Sequence, residues 1–450
     1  MSIESFLRGV LGVLIILGSA FLLSNNKKKV NWRLVGGGLA IQVVFSILIL
    51  KGDFLRSYFF MLGWPIDFFR GVSYFFVLIL NFTTEGASFV FGPLAKQTSA
   101  DGGIGFIFAF QVLPTIIFFA SLMSVLYYLG IMQRIVQAMA WVMLRLMGTS
   151  GAESLSCTAN IFVGQTEAPL MIKPFVKTMT NSELLSVMVG GMATIAGGVM
   201  AAYIQILSST YAITNNIPLQ QAQLLFATHL LGASCMAAPA ALLISKIIYP
   251  ETGEPDTKGS VKIKIEQNSS NVIEAAATGA ADGLMLAFNV GGMLIAFIAL
   301  IALLNYALVA LGGLLNVNDY LQHTYGKPLN MQFILGFILQ WLAVGVGVPW
   351  HEAMNFGSLI GTKVVLNEFV AYLNLSEMMN LKQMTDPKAI FMATYALCGF
   401  ANFSSIAIQI GGIGPMAPER KSDLAKLGIR AVIGGSLSTL MTATLAGILF

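Results

Sequence analysis

Two stretches of the chain, Ile107 to Leu129 and Leu284 to Leu304, run without a single Asp, Glu, Lys or Arg. Each matches the ~20 apolar residues that an α-helix needs to cross the hydrocarbon core of a bilayer. Lipid offers no hydrogen bonds, so a spanning chain satisfies its backbone internally, as helices or as a closed barrel. The 45 glycines and the absence of ten-residue segments of alternating polarity select helices. Only 10% of the 450 residues are charged and 56% are hydrophobic, against about 25% charged in a soluble domain. The net charge of +4 is spread through loops and carries no nucleic-acid signal. The fold class is therefore an all-α integral membrane protein.

Charge placement orients it. Arg8 and the apolar run Val10–Leu23 resemble a signal peptide, but Lys27-Lys28-Lys29 follow with no convincing cleavage site, which implies a retained first span. Lys and Arg cluster at 27–33, at Arg134 and Arg145, at 246–264 and at 420–430, and are absent between Lys177 and Lys246 and between Lys264 and Lys327. The positive-inside rule makes the clusters cytoplasmic. Eight spans satisfy this, at about 9–24, 31–50, 104–129, 183–210, 224–248, 284–312, 388–412 and 428–449, with both termini outside. Residues 131–147, bearing Arg134 and Arg145, read as an interfacial amphipathic helix. Residues 54–95, with Trp64-Pro65 and glycine breaks, are expected along the outer surface, and 250–272 as a polar cytoplasmic loop.

One tripeptide is out of place. Gln165-Thr166-Glu167 lies between Gly164 and Ala168-Pro169-Leu170 in an otherwise apolar region. An ionisable group at membrane depth costs at least ~2.5–3.5 kcal/mol and marks a functional site. Three adjacent polar side chains diverge by about 100° each on a continuous helix, so they suit the tip of a re-entrant segment facing a protein-lined cavity.

A weak internal repeat surrounds it. Residues 131–248 and 330–450 each order a surface helix, a Gly-interrupted polar segment with a Glu, a small-residue span and a plain span. The first copy starts inside and the second outside, which implies inverted repeats with a midplane site between broken helices. The alignment sets Thr166-Glu167-Ala168 against His351-Glu352-Ala353. Candidate residues are Asn160, Val163, Gln165, Thr166 and Glu167 with Thr194 to Gly198 in the first copy, and Asn367-Glu368-Phe369 with Phe400 to Ser405 in the second. Asn402 and Ser405, three apart, share a helix face. Two carboxylates, Glu167 and Glu368, are expected to converge on one pocket.

Amides, hydroxyls and carboxylates suit a hydroxylated, uncharged solute, and oxygen-only groups suit a hard cation such as Na⁺. Asp282 and Lys363 read as paired structural charges or as interfacial ones. The three cysteines read as small buried hydrophobes. The three histidines are scattered, and His351-Glu352 lacks the second histidine of a zinc-protease helix.

Three signatures resemble the concentrative nucleoside transporter family: Gly164-Gln165-Thr166-Glu167-Ala168-Pro169-Leu170, Gly361-Thr362-Lys363 through Asn367-Glu368-Phe369-Val370-Ala371-Tyr372, and Ala401-Asn402-Phe403-Ser404-Ser405-Ile406. The resemblance covers nearly everything from about residue 85. It implies eight transmembrane helices plus two re-entrant hairpins, at about 151–178 and 350–376, in a homotrimer of the bacterial inner membrane. Scaffold parts would be 1–130 and 249–329, and a mobile transport domain would comprise 131–248 and 330–450.

By position, Gln165, Thr166 and Glu167 resemble a base-binding tip, and Glu368, Asn402 and Ser405 the ribose side. Val199, Phe400 and Leu284 would line the apolar part. Asn160, Val163, Thr166, Thr194 and Ile195 would hold Na⁺. The implied activity is sodium-coupled import of nucleosides such as uridine or adenosine by an elevator movement, not an enzymatic reaction. Rival readings are a proton-coupled symporter of the same fold, a channel, and an intramembrane enzyme, for which no Gly-x-Ser-x-Gly elbow is present.

Overall fold

In this computed structural model the described residues are 3–96, 102–103, 105–259 and 269–450. Lys262, Lys264 and Glu266 of the expected cytoplasmic loop lie outside them, as does residue 104, the expected start of the third span. Among the described residues no strand forms, only an isolated antiparallel bridge between Ser150 and Lys258.

The first helices are α1 (Ile3–Leu22), α2 (Trp32–Leu50), α3 (Gly52–Tyr58), α4 (Trp64–Phe91), α5 (Phe108–Gln111) and α6 (Leu113–Tyr128). The first repeat follows as α7 (Ile131–Met147), α8 (Gly151–Ala159), α9 (Lys173–Val176), α10 (Asn181–Ala193), α11 (Gly197–Asn215) and α12 (Leu219–Ile248). Then come α13 (Val272–Leu314) and α14 (Asn318–Tyr325). The second repeat comprises α15 (Met331–Gly345), α16 (Trp350–Val365), α17 (Glu368–Asn380), α18 (Pro387–Leu397), α19 (Phe403–Ile413) and α20 (Lys421–Leu449).

Among the described residues eight helical stretches have the length and apolarity to cross a bilayer: α1, α2, α4, α5–α6, α10–α11, α12, α13 and α20. The set differs from the sequence expectation by one exchange. Segment 64–91, expected to be broken by glycines along the outer surface, is one continuous 28-residue helix long enough to span. Pro65 occupies its first turn, where a missing N–H costs nothing. Gly71 and Gly86 face open space and do not interrupt it. Thr228 on α12 reaches it through Ser73 at 3.2 Å. Conversely, 388–412 is split at 398–402 between α18 and α19.

The repeat order is the expected one, with each part folded as its residues dictate. Helix α7 buries Met132, Val136, Ala140, Met143 and Met147, spaced at three and four, and leaves Arg134 and Arg145 exposed. Its counterpart α15 meets α16 at 118°. The hairpins run α8–α9 and α16–α17, and the broken spans are α10–α11 and α18–α19.

The alignment within the repeat needs correction. Glu352 is the third residue of α16 and matches Glu153, third in α8, whereas Glu167 and Glu368 both stand at hairpin tips. The Glu-Ala dipeptide shared by 167–168 and 352–353 belongs to a hairpin tip in the first repeat and to a hairpin base in the second.

Burial grades from the repeats outward. Every residue in the most apolar window of α12 is buried, against 6% in α13, whose Ile295, Leu303 and Leu314 are largely exposed. In lipid, helices associate through close packing of small residues. Accordingly α13 lies along α6 at Gly283, where a Cβ would stand 2.8 Å from the Ile117 Cα. A leucine there forces the pair apart. Gly283→Leu is expected to lower stability by about 1–3 kcal/mol, the usual cost of overpacking, read as a lower melting temperature in detergent, with Gly292→Leu, which faces open space, unchanged.

Candidate functional site

Each hairpin is fixed at its base before its tip can be positioned. Ser150 and Glu153 form a capping box at the start of α8, and Thr180 and Glu183 another at the start of α10. The two are stitched together by Ser150 Oγ donating to Glu183 Oε1 at 2.6 Å. Beneath them the buried Lys246 ammonium sits 2.8 Å from Glu153 and 3.1 Å from Glu251, and donates to Ser182 Oγ at 3.0 Å. In the second repeat Glu352 does this alone, accepting from the backbone N–H groups of Thr385 at 2.9 Å and Asp386 at 3.1 Å. Both hairpins are thereby tied to the start of the broken helix that follows.

The tips differ. Helix α8 ends at Ala159, and residues 160–167 continue as turns. The Phe162 carbonyl accepts from Gly197 N–H at 3.0 Å, joining this tip to the break between α10 and α11. The second tip is compact: Asn367 caps α17, its Oδ1 accepting from Val370 N–H at 2.9 Å, and Glu368 follows at once.

From these tips a polar chain crosses between the repeats. Tyr203 on α11 donates to Glu368 Oε1 at 3.0 Å, and Asn402 Nδ2 donates to Glu368 Oε2 at 3.2 Å. The Asn402 Oδ1 caps α19 by accepting from Ser405 N–H at 2.9 Å. Ser405 Oγ accepts from Gln165 Nε2 at 3.1 Å, and Gln165 Oε1 accepts from Gln409 Nε2 at 3.1 Å. All six side chains are buried. Residues 165 and 405, at the centre of this chain, come from different repeats. The two breaks also touch, since a Cβ on Gly399 would lie 2.8 Å from the Met192 carbonyl oxygen.

The sequence candidates fall into three groups. Gln165, Glu368, Asn402 and Ser405 are brought together as expected, although Asn402 serves as the cap of α19 and not as a partner on its face. Val199 is buried near them on α11, and Phe400 is partly exposed within the second break.

Around the first break, Asn160, Thr194 and Ile195 are buried while Val163 and Thr166 are partly exposed. There, among the described residues, the Asn160 Oδ1 and Ser156 Oγ have no hydrogen-bond partner, and Thr194 Oγ1 turns to the Gly190 carbonyl at 2.8 Å. A buried amide oxygen with no donor beside it is the kind of neutral oxygen a hard cation takes, so the residues present fit Na⁺.

The third group takes no part in the polar chain. Leu284 is an apolar side chain, 44% exposed on α13. The two carboxylates expected to share a pocket differ in setting: Glu368 is buried, whereas Glu167 is exposed and folds back toward Gly164. The irregular tip lets Gln165 point inward, to Ser405 and Gln409. Asp282 and Lys363 are not partners: Asp282 is exposed on α13, while Lys363 is buried and donates to neutral oxygens. The three cysteines are buried and free.

Two members of the network were not anticipated. Gln409 follows Asn402 and Ser405 at the spacing of one helix face, so its signal was present in the pattern. Tyr203 lies one turn beyond Val199, and only the fold shows that its hydroxyl meets Glu368.

Comparison with known proteins bears on this arrangement. Family models described as Na⁺ dependent nucleoside transporter N-terminus, Nucleoside recognition, and Na⁺ dependent nucleoside transporter C-terminus match residues 11–94, 109–210 and 229–447. Nucleoside permease NupC of Helicobacter pylori is 40% identical over 99% of this chain and 98% of its own. Sodium/nucleoside cotransporter 2 of Rattus norvegicus is 39% identical over 98% of this chain, which spans 62% of that longer protein. The solved structure of CNTnw in an inward-facing substrate-bound state superposes with a TM-score of 0.83 at 40% identity, covering 99% of both chains.

The Asn402 side chain joins a helix cap to a buried carboxylate, and its loss should be felt twice. Asn402→Ala is expected to cost about 0.5–2 kcal/mol for the cap and about 1–3 kcal/mol for the stranded acceptor. Thermal unfolding measures the sum, and Asn402→Ser, which keeps a cap, should recover part of it.

Proposed function

The chain belongs to the Na⁺-dependent nucleoside transporter family and is a multi-pass membrane transporter of nucleosides rather than an enzyme; from that premise we propose that it is a sodium-coupled symporter working by an elevator movement. The observation that carries this is the buried, unpartnered Asn160 oxygen beside the first helix break, next to a tip whose Gln165 belongs to the polar chain.

In this reading Na⁺ is taken up first by Asn160, Thr166, Thr194 and the carbonyls of Val163 and Ile195. It draws the tip of the first hairpin against the break and so sets the orientation of Gln165. The nucleoside then enters between the hairpins. Glu368, Asn402 and Ser405, which satisfy one another and Tyr203 without a ligand, exchange those bonds for the ribose hydroxyls. Gln165, Thr166 and Glu167 address the base edge, and Val199 and Phe400 its faces. With its polar groups occupied, the unit of 131–248 and 330–450 slides as one body against a scaffold of 1–130 and 249–329. The two repeats lie in inverted orientation, three such protomers assemble in the bacterial inner membrane, and both termini face outward.

One positive charge moved down 100 mV supplies about 2.3 kcal/mol, or roughly fifty-fold accumulation at 1.36 kcal/mol per decade. In proteoliposomes, uptake of labelled uridine should fall at least about tenfold when choline replaces Na⁺; undiminished uptake in choline ends the coupling claim, and uptake driven by a pH step alone selects the proton-coupled alternative. Saturable uptake with counterflow separates the carrier from a channel. Glu368→Ala should abolish uptake, because it removes the acceptor of two buried donors, while Asn160→Leu should raise the Na⁺ needed for half-maximal uptake. Activity retained by Glu368→Ala would remove the ribose assignment.

A further inference from the structure

The second repeat has its own corner between a hairpin and a helix break, and there the chain supplies a cation. Lys363 stands in the last turn of α16, 1% exposed. Its ammonium donates to the Ala396 carbonyl at 2.8 Å and to Thr439 Oγ1 at 3.0 Å. Both partners are neutral oxygens, unlike those of Lys246, which sits between two carboxylates. Glu368, whose charge lies nearby, is held by Tyr203 and Asn402. Ala396 is the penultimate residue of α18, where carbonyls are freed by the break and the helix dipole favours positive charge.

The matching corner of the first repeat lies where hairpin α8 ends beside the C-terminus of α10, and Met192 is the penultimate residue there. Here no ammonium is placed among the described residues. The chain leaves instead the buried, unpartnered Asn160 Oδ1 and Ser156 Oγ. The two corners flank one crossing, where Gly399 packs on the Met192 carbonyl. A helix of the same repeat position completes each: Ser234 on α12 donates to the Ile161 carbonyl at 3.5 Å, and Thr439 on α20 receives Lys363.

We propose that the Lys363 ammonium is a tethered cation that occupies, in the second repeat, the place an exchangeable Na⁺ takes in the first. Each protomer therefore carries one mobile coupling ion, because the second site is permanently filled by the chain. The inference rests on the sodium reading of the first repeat, and it assigns a stoichiometry-setting role to Lys363. Covering the second corner with a fixed charge also explains why hairpin 2 can be compact: its tip needs no ion to order it.

The test uses the purified full-length protein in detergent, with equilibrium binding of radiolabelled sodium and melting curves in Na⁺ against choline. Lys363→Asn exchanges the ammonium for an amide oxygen and should double the sodium bound per chain. It should also melt well below the native protein in choline and recover in Na⁺. Lys363→Met, which offers no oxygen, should melt lower in both salts and bind no additional sodium. Unchanged sodium binding by a folded Lys363→Asn overturns the proposal.

If neither variant accumulates, the transplant Asn160→Lys decides: melting that no longer responds to Na⁺, with sodium binding lost, supports the equivalence of the corners. Sodium binding retained by Asn160→Lys refutes it. Failure of the underlying sodium reading looks different, since the native protein itself would then bind no sodium and melt alike in Na⁺ and choline.

Discussion

A helix that breaks inside a membrane frees backbone groups that no water can reach, and the rest of this structure follows from how those groups are satisfied. Two broken spans and two hairpin tips meet near one crossing. At the first break the tip itself is the partner, through Phe162 and Gly197. At the second, Asn402 caps α19 and Lys363 covers the end of α18. Unsatisfied groups at this depth are costly, so each break demands a polar neighbour, and those neighbours make up the candidate site. The groups proposed to bind and the groups that satisfy the breaks are the same atoms.

The repeats share a plan but not a chemistry. Their hairpin bases are anchored by equivalent carboxylates, Glu153 and Glu352, yet the first needs Lys246 as an intermediary while the second bonds the backbone directly. Their tips carry equivalent acids, yet Glu368 is drawn inward by Tyr203 and Asn402 while Glu167 remains exposed. Asymmetry of this kind suits a pocket for an asymmetric solute. A hydroxylated sugar and a planar base need different partners, and two identical halves would offer the same ones twice.

Much of the architecture was legible in the chain because lipid is an unforgiving solvent. Apolar length, the amphipathic spacing of α7, the polar interruption at 165–167 and the order of parts in the repeat each have a direct physical cause. Sequence and structure part where two causes compete. Segment 64–91 contains Trp64-Pro65 and glycines, which read as breaks, but proline at a helix start and glycines facing open space leave the helix intact. A Glu-Ala dipeptide occurs at the tip of one hairpin and at the base of the other, and nothing local in so short a match distinguishes the two.

The sequence by itself determined that this chain lies in a membrane, that it is helical, and that carboxylate, amide and hydroxyl groups are concentrated at its interruptions. Those conclusions depend on composition and local spacing alone. Only the tertiary structure decided which of the polar groups meet. Gln165 and Ser405 lie 240 positions apart, and no local rule couples their rotamers. That Gln165 turns inward while Glu167 does not, and that Lys363 is buried against carbonyl and hydroxyl oxygens instead of pairing with Asp282, depends on the packing of two helix breaks against each other, a contact between distant segments that no periodicity along the chain encodes.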